Sequence, residues 1–123
     1  MKEFGLFIGT LLQSRTQAHI FHWQTTGPGS LAKHKALEEY YDGIVDLLDG
    51  LVESYQGRYG VYQGYQMPNP LREDNNQVQY FESLCKFVET IKKTIPQDSY
   101  IQNQVDEIIT LIESTKFKLI NLQ

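Results

Sequence analysis

The sequence predicts an all-α fold: a four-helix bundle with a long crossover between its second and third helices. Three observations point there. Four segments repeat apolar residues with the 3.6-residue period of a helix that buries one face. Short breaks separate the first segment from the second and the third from the fourth. A stretch rich in Gly, Pro and Tyr, unsuited to any helix, separates the second from the third.

The first segment runs from about Lys2 to Thr25, with Phe4, Ile8, Leu11, Arg15, Ala18 and His22 along one stripe. Its apolar start imitates the core of a secretion signal. Glu3 dilutes the positive charge, however, and Gln13-Ser14-Arg15-Thr16 follows without a small-residue cleavage pattern. A retained helix and a cytoplasmic protein are therefore expected. Gly27-Pro28-Gly29-Ser30 breaks the segment, and Ser30 is the expected cap of the next. The second segment runs from about Leu31 to Gln56 and presents Leu37, Tyr41, Ile44, Leu48, Leu51, Val52 and Tyr55. The third spans about Asn76 to Thr94, with Val78, Phe81, Cys85, Val88 and Ile91, and Pro96 stops it. Asp98 or Ser99 caps the fourth, whose Ile101, Val105, Ile108, Ile112, Thr115 and Leu119 form the cleanest repeat. Lys116 and Lys118 suit the negative end of its dipole.

The segment Gly57 to Asn75 is a loop of about 19 residues, a length that in a small domain usually has a task. The second helix is roughly 39 Å long at about 1.5 Å per residue. A loop of that size, at about 3.3 Å per residue, spans it. It therefore serves as a crossover that lets the second and third helices run parallel. Its tyrosines are expected to pack it onto the bundle.

With 123 residues the chain is expected to form one domain, 1–123. Hydrophobic residues at 41% suffice for a core, and 11 Lys and Arg against 15 Asp and Glu give a net charge of −4. That balance argues against DNA binding, which needs clustered cations. No apolar run reaches membrane-spanning length. The single cysteine, Cys85, excludes an internal disulfide and a multi-thiolate zinc site. It lies on an apolar stripe and is expected in the core.

The second helix also carries a row of acids: Glu38, Asp42, Asp46, Asp49 and Glu53. All fall within an arc of about 80° beside the apolar face. Like charges one turn apart repel, so a cation against this row would relieve it. His34 precedes Glu38 by one turn, and His22 ends the first helix near the same end of the hairpin. Two imidazoles beside a carboxylate suit iron, manganese or zinc. Asp49 lies about 16 Å along the helix from Glu38, too far to share a metal within one chain. Two such helices packed antiparallel about a two-fold axis would bring Asp49 and Glu53 of one chain to the histidines of another. The alternative is that Asp49 and Glu53 are a separate, solvated pair.

His22-Trp23, Gly27, His34, Glu38, Tyr41, Asp49 and Glu53 together resemble the signature of Dps, the DNA-binding protein from starved cells. That is the mini-ferritin branch of the ferritin-like superfamily. The spacings agree over roughly Ala18 to Gly57. The resemblance implies a ferritin-like bundle with ferroxidase sites between two-fold related subunits. His22, His34 and Glu38 would come from one subunit, and Asp49 and Glu53 from the other. It implies oxidation of Fe(II) by peroxide or oxygen, iron storage, protection from oxidative stress, and a homo-oligomer from a dimer up to a twelve-subunit shell. Trp23 would lie beside the site, and His19 has no assigned role. The sequence departs from the pattern in Glu38, where Asp is usual, and in Ser54, where Arg often stands. It is also shorter, lacks a basic N-terminal tail, and has a crossover poor in helix formers. The short chain, the Tyr- and Gly-rich crossover and Ser54 favour an alternative: a non-catalytic ferritin-like assembly or interaction protein, of a kind plausible in phage genomes. No Glu-x-x-His, His-Glu-x-x-His or Gly-rich phosphate loop occurs.

Overall fold

The computed structural model describes residues 1–122 and contains four helices: α1 (Lys2–Gln24), α2 (Ser30–Tyr59), α3 (Gln77–Ile91) and α4 (Ser99–Asn121). The single domain expected over 1–123 includes Gln123, which lies outside the described residues. α1 packs on α2, α2 on α4 and α3 on α4, while α1 and α3 meet only thinly. The core is built from Phe4, Phe7, Leu11 and Phe21 of α1, Leu37, Tyr40, Ile44 and Leu51 of α2, and Ile101, Ile108 and Ile112 of α4. Tyr40 is fully buried, and its hydroxyl pairs with that of buried Ser14 at 2.6 Å. Burial holds its phenol far above the ordinary value. Cys85 is in the core as expected. Burial, with Glu89 and Glu113 nearby, pushes its thiol up to about 12, so it is no nucleophile. Among the described residues no helix is long and apolar enough to cross a membrane.

The ends of the helices correct the sequence reading. Gly29, not Ser30, stands at the N-cap of α2, with φ 78 and no side-chain cap. The chain reverses within a few residues, which demands positive φ at Gly27 and Gly29, and glycine alone adopts it without strain. α2 continues past Gln56 through Gly57 to Tyr59, since a single glycine lowers helix propensity by only about 1 kcal/mol. The stop comes at Gly60, φ 94, whose N–H returns to the Gln56 carbonyl at 2.8 Å. α3 stops at Ile91, not Thr94. Bonds from Lys93 to Thr90 and from Thr94 to Ile91 tighten the chain ahead of Pro96. Asn76 caps α3 by accepting from the Gln79 N–H. Asp98 stands at the N-cap of α4, but its carboxylate is diverted: the Tyr59 hydroxyl donates to it, and Arg58 lies 3.7 Å away.

The crossover runs along α1 from its start to its end. Tyr62 Oη accepts from the Gly5 N–H at 3.0 Å and donates to the Met1 carbonyl at 2.6 Å. The Gln66 N–H donates to the Gly5 carbonyl at 3.3 Å, and Gln13 donates to the Asn69 carbonyl. Gln17 pairs twice with Arg72, donating to its carbonyl at 3.1 Å and accepting from its N–H at 2.6 Å. Gln77 then donates to Thr25 Oγ1 at 2.9 Å as α3 begins. α2 and α3 are therefore parallel, as the length of the loop requires. A Cβ on Gly5 would sit 2.0 Å from the Gly64 carbonyl oxygen, and one on Gly9 1.6 Å from that of Gln66. Their missing side chains let one backbone lie directly on another. Tyr62 also packs edge-on to Phe4, which stacks on Tyr55 at 3.9 Å. The tyrosine-mediated packing expected of the loop is present at Tyr62, while Tyr59 and Tyr65 remain exposed.

Candidate metal centre

The turn at Gly27 and Gly29 returns α2 beside the end of α1, so His22 and His34 meet. Their rings stand edge to face, with centroids 4.3 Å apart. His22 Nδ1 lies 3.1 Å from the His34 carbonyl oxygen, and His34 Nε2 lies 3.1 Å from the Thr25 carbonyl oxygen. A carbonyl only accepts, so each of these nitrogens carries the hydrogen in the neutral ring. That assigns the tautomers from their partners. His34 Nδ1 then bears a lone pair and lies 3.1 Å from the hydrogen-bearing His22 Nδ1 and 3.3 Å from His22 Nε2. The His22 Nδ1–H reaches both the His34 carbonyl and His34 Nδ1, so the pair is satisfied without a cation between the rings. Two nitrogens bound side by side to one metal ion, at about 2.1 Å each, are roughly 3.0–3.4 Å apart. Backbone carbonyls holding the outer N–H groups are the usual support of a ligating histidine. Thr25 is held in turn: its buried hydroxyl donates to the Phe21 carbonyl at 2.7 Å and accepts from Gln77 of α3.

An aromatic wall flanks the pair. His19 stacks on Tyr41 at 4.3 Å and 19°, and Trp23 lies 4.5 Å from His19. Tyr41 stands edge-on to His22 at 5.7 Å. Burial raises the Tyr41 phenol above its ordinary value, and the carboxylates of Glu38 and Asp42 add to this against Arg15. Trp23 is 68% exposed.

The acids are less organised. Glu38 lies one turn beyond His34 and is exposed. Among the described residues no three His, Cys, Asp or Glu side chains converge as a metal site, so Glu38 does not join the histidine pair within one chain. Glu38, Asp42, Asp46, Asp49 and Glu53 are all exposed, and none forms a salt bridge among the described residues. Asp49 and Glu53 line a groove of about 340 Å³ with Ile8, Leu12, Leu48, Val52 and Tyr65, toward the far end of α2. One chain thus holds a pair of histidines at one end of the α1/α2 face and two exposed carboxylates toward the other. The sequence reading missed the Thr25 and His34 carbonyls, which no residue type announces.

The fold is an all-α four-helix bundle in which His22 and His34 meet at one end of the α1/α2 face. The chain belongs to a family described as a family of unknown function, DUF5856, which matches residues 22–119 and so contains every candidate ligand. It is similar to an uncharacterised 14.6 kDa protein of the mobD–ri intergenic region of Enterobacteria phage T4. The two are 24% identical over 113 residues, covering 92% of this chain and 84% of the phage protein. No solved structure matches the chain.

Proposed function

We propose that this protein is a Dps-like mini-ferritin of the ferritin-like superfamily. Its sites bind Fe(II) between two copies of the chain and oxidise it. The observation that carries this reading is the meeting of His22 and His34 at one end of the α1/α2 hairpin, with His22 Nε2 and His34 Nδ1 at the 3.3 Å spacing of two nitrogens on one metal ion. Glu38 extends from the same chain, and Asp49 and Glu53 come from a second copy. Carboxylates favour Fe(III) over Fe(II), and imidazoles suit both. Two Fe(II) ions give one electron each to one peroxide, which takes up two protons and leaves as water. Oxygen is the other candidate oxidant. Iron is the substrate, and the ferric product is stored or released. The crossover with parallel α2 and α3 supports the ferritin-like arrangement, and the phage T4 relative supports a phage-borne origin.

A second reading is a non-catalytic ferritin-like assembly module. One observation favours it: a single chain brings no third ligand to the histidines among the described residues. Anaerobic Fe(II) titration, followed by a peroxide pulse and ferric absorbance, separates the two. Saturable binding and a fast ferric signal support the ferroxidase. Neither signal, from folded protein, leaves the assembly module.

A further inference from the structure

Where α1 and α3 meet only thinly they leave a cleft of about 570 Å³, and the crossover walls its third side. Leu6 of α1, Met67 and Pro68 of the crossover, and Tyr80, Leu84 and Phe87 of α3 make its walls largely apolar. That volume and lining are those of a small-molecule site. Tyr80, Leu84 and Phe87 follow at helical spacing on one face of α3, so the two rings stand about 10 Å apart along the helix with Leu84 between them. Tyr80 is a fixed wall, packed edge-on to Phe21 at 5.6 Å and to Phe81 at 5.3 Å. Met67 is an adaptable one: it is 67% exposed, and its thioether adjusts to what it covers.

The charge of the cleft is its informative feature. The chain carries 15 Asp and Glu, yet none of them lines the cleft, and Arg72 is the one charged residue that does. Arg72 is also held in place. Its N–H and its carbonyl are both bonded to Gln17, which fixes the backbone. Its guanidinium lies 5.6 Å from the centre of the Tyr80 ring, and Nη1 donates to Gln79 Oε1 at 3.4 Å. No carboxylate pairs with it among the described residues. One long bond and an aromatic face leave most of its five N–H donors unused. Burial raises the Tyr80 phenol above its ordinary value against the pull of Arg72, so its hydroxyl remains a donor. The fork of a guanidinium matches the two oxygens of a carboxylate. With no second cation lining the cleft, the complementary ligand carries a single negative charge on an apolar body.

We infer that this cleft binds a small aromatic carboxylate, its ring over Leu84 between Tyr80 and Phe87 and its carboxylate on the Arg72 guanidinium. The site shares no residue with the histidine pair and does not rest on the iron reading.

The chain has two methionines, so isotope-labelled methionine methyl groups give a simple spectrum in which Met67 reports the cleft and Met1 is the control. Metal-free protein is titrated with phenylacetate, with the uncharged phenylacetamide and with inorganic phosphate. Phenylacetate shifts the Met67 methyl saturably and leaves Met1 in place. Phenylacetamide binds at least about 10-fold more weakly. Arg72→Met keeps an apolar stem beside Tyr80, weakens phenylacetate by the same factor and leaves phenylacetamide unchanged. Ser83→Trp, at an exposed position lining the cleft, fills it and abolishes both, and is the second variant should Arg72→Met fail to fold. A Met67 methyl that phenylacetate does not move overturns the site. Equal affinity for the acid and the amide, or for wild type and Arg72→Met, overturns the role of the carboxylate. An equal Met67 shift with inorganic phosphate reduces the site to an anion contact and overturns the place of the ring.

Discussion

Two stripes of α1 carry opposite kinds of residue. The covered stripe is Gly5, Gly9, Gln13 and Gln17, each four residues from the next, and the crossover lies along it. The bare stripe is Leu12, Arg15, His19 and Trp23. On the first, side chains are either absent or are amides that pair with backbone. Gln17 makes two bonds to Arg72 much as a neighbouring strand would. Each glycine costs about 1 kcal/mol of helix propensity, and the close approach of the crossover offsets it. On the second stripe, Leu12, Arg15 and Trp23 are exposed, while His19 is half-buried against Tyr41. Covered residues hold the fold, and the proposed function assigns the bare ones to a partner or a ligand. Damage should therefore separate cleanly into stability and binding.

The largest effect on the covered side is expected from Gly9→Ala. Its Cβ would meet the Gln66 carbonyl at 1.6 Å, and backbone cannot yield as a side chain tip can. A loss of about 3 kcal/mol or more in urea unfolding is expected. Gly57→Ala, in open space, should be neutral or slightly stabilising in the same assay. On the ligand side, His34→Ala should lower Fe(II) affinity at least about 100-fold by anaerobic titration. Its half-buried ring lies outside the core, so thermal unfolding should move by only a few degrees. Gln17→Ala leaves the Arg72 N–H and carbonyl without their partner and should cost about 1–3 kcal/mol, with Fe(II) binding unchanged.

The smallest effect belongs to neither stripe and serves as a control. The Tyr59 hydroxyl holds the Asp98 carboxyl below its usual range. A depressed carboxylate stabilises above its unfolded value, about 3.9, and loses that contribution as pH falls through the folded value. Tyr59→Phe should therefore lower stability slightly at neutral pH and flatten the acid side of the stability curve. Thermal unfolding between neutral and acid pH measures it.

Much of this was legible in the residues themselves. The apolar period located all four helices because each buries one face against the others. Loop length against helix length gave the parallel course of α2 and α3. His22 and His34 were brought together by spacing and by the glycine turn between them. The helix ends were less legible. Ser30 has the chemistry of a cap, but the reversal needs the backbone freedom of Gly29, and geometry outranks side-chain preference there. Gly57 reads as a breaker, yet it faces open space and α2 passes through it. The Gly5, Gly9, Gln13, Gln17 stripe carries a visible four-residue period, but it leads to no chemistry until the crossover backbone is seen lying on it. The hydrogen positions on His22 and His34 depend on two carbonyl groups, and no side chain encodes where those point.

The central claim is that each metal site takes its histidines from one chain and its distal carboxylates from another. Mixing His34→Ala protein with Asp49→Ala protein, each inactive alone, tests it directly through peroxide-dependent Fe(II) oxidation. Random exchange makes half the dimers mixed, and each mixed dimer regains one intact site. Recovery of about one quarter of wild-type activity is predicted. Full exchange of chains with no recovery would contradict the split site.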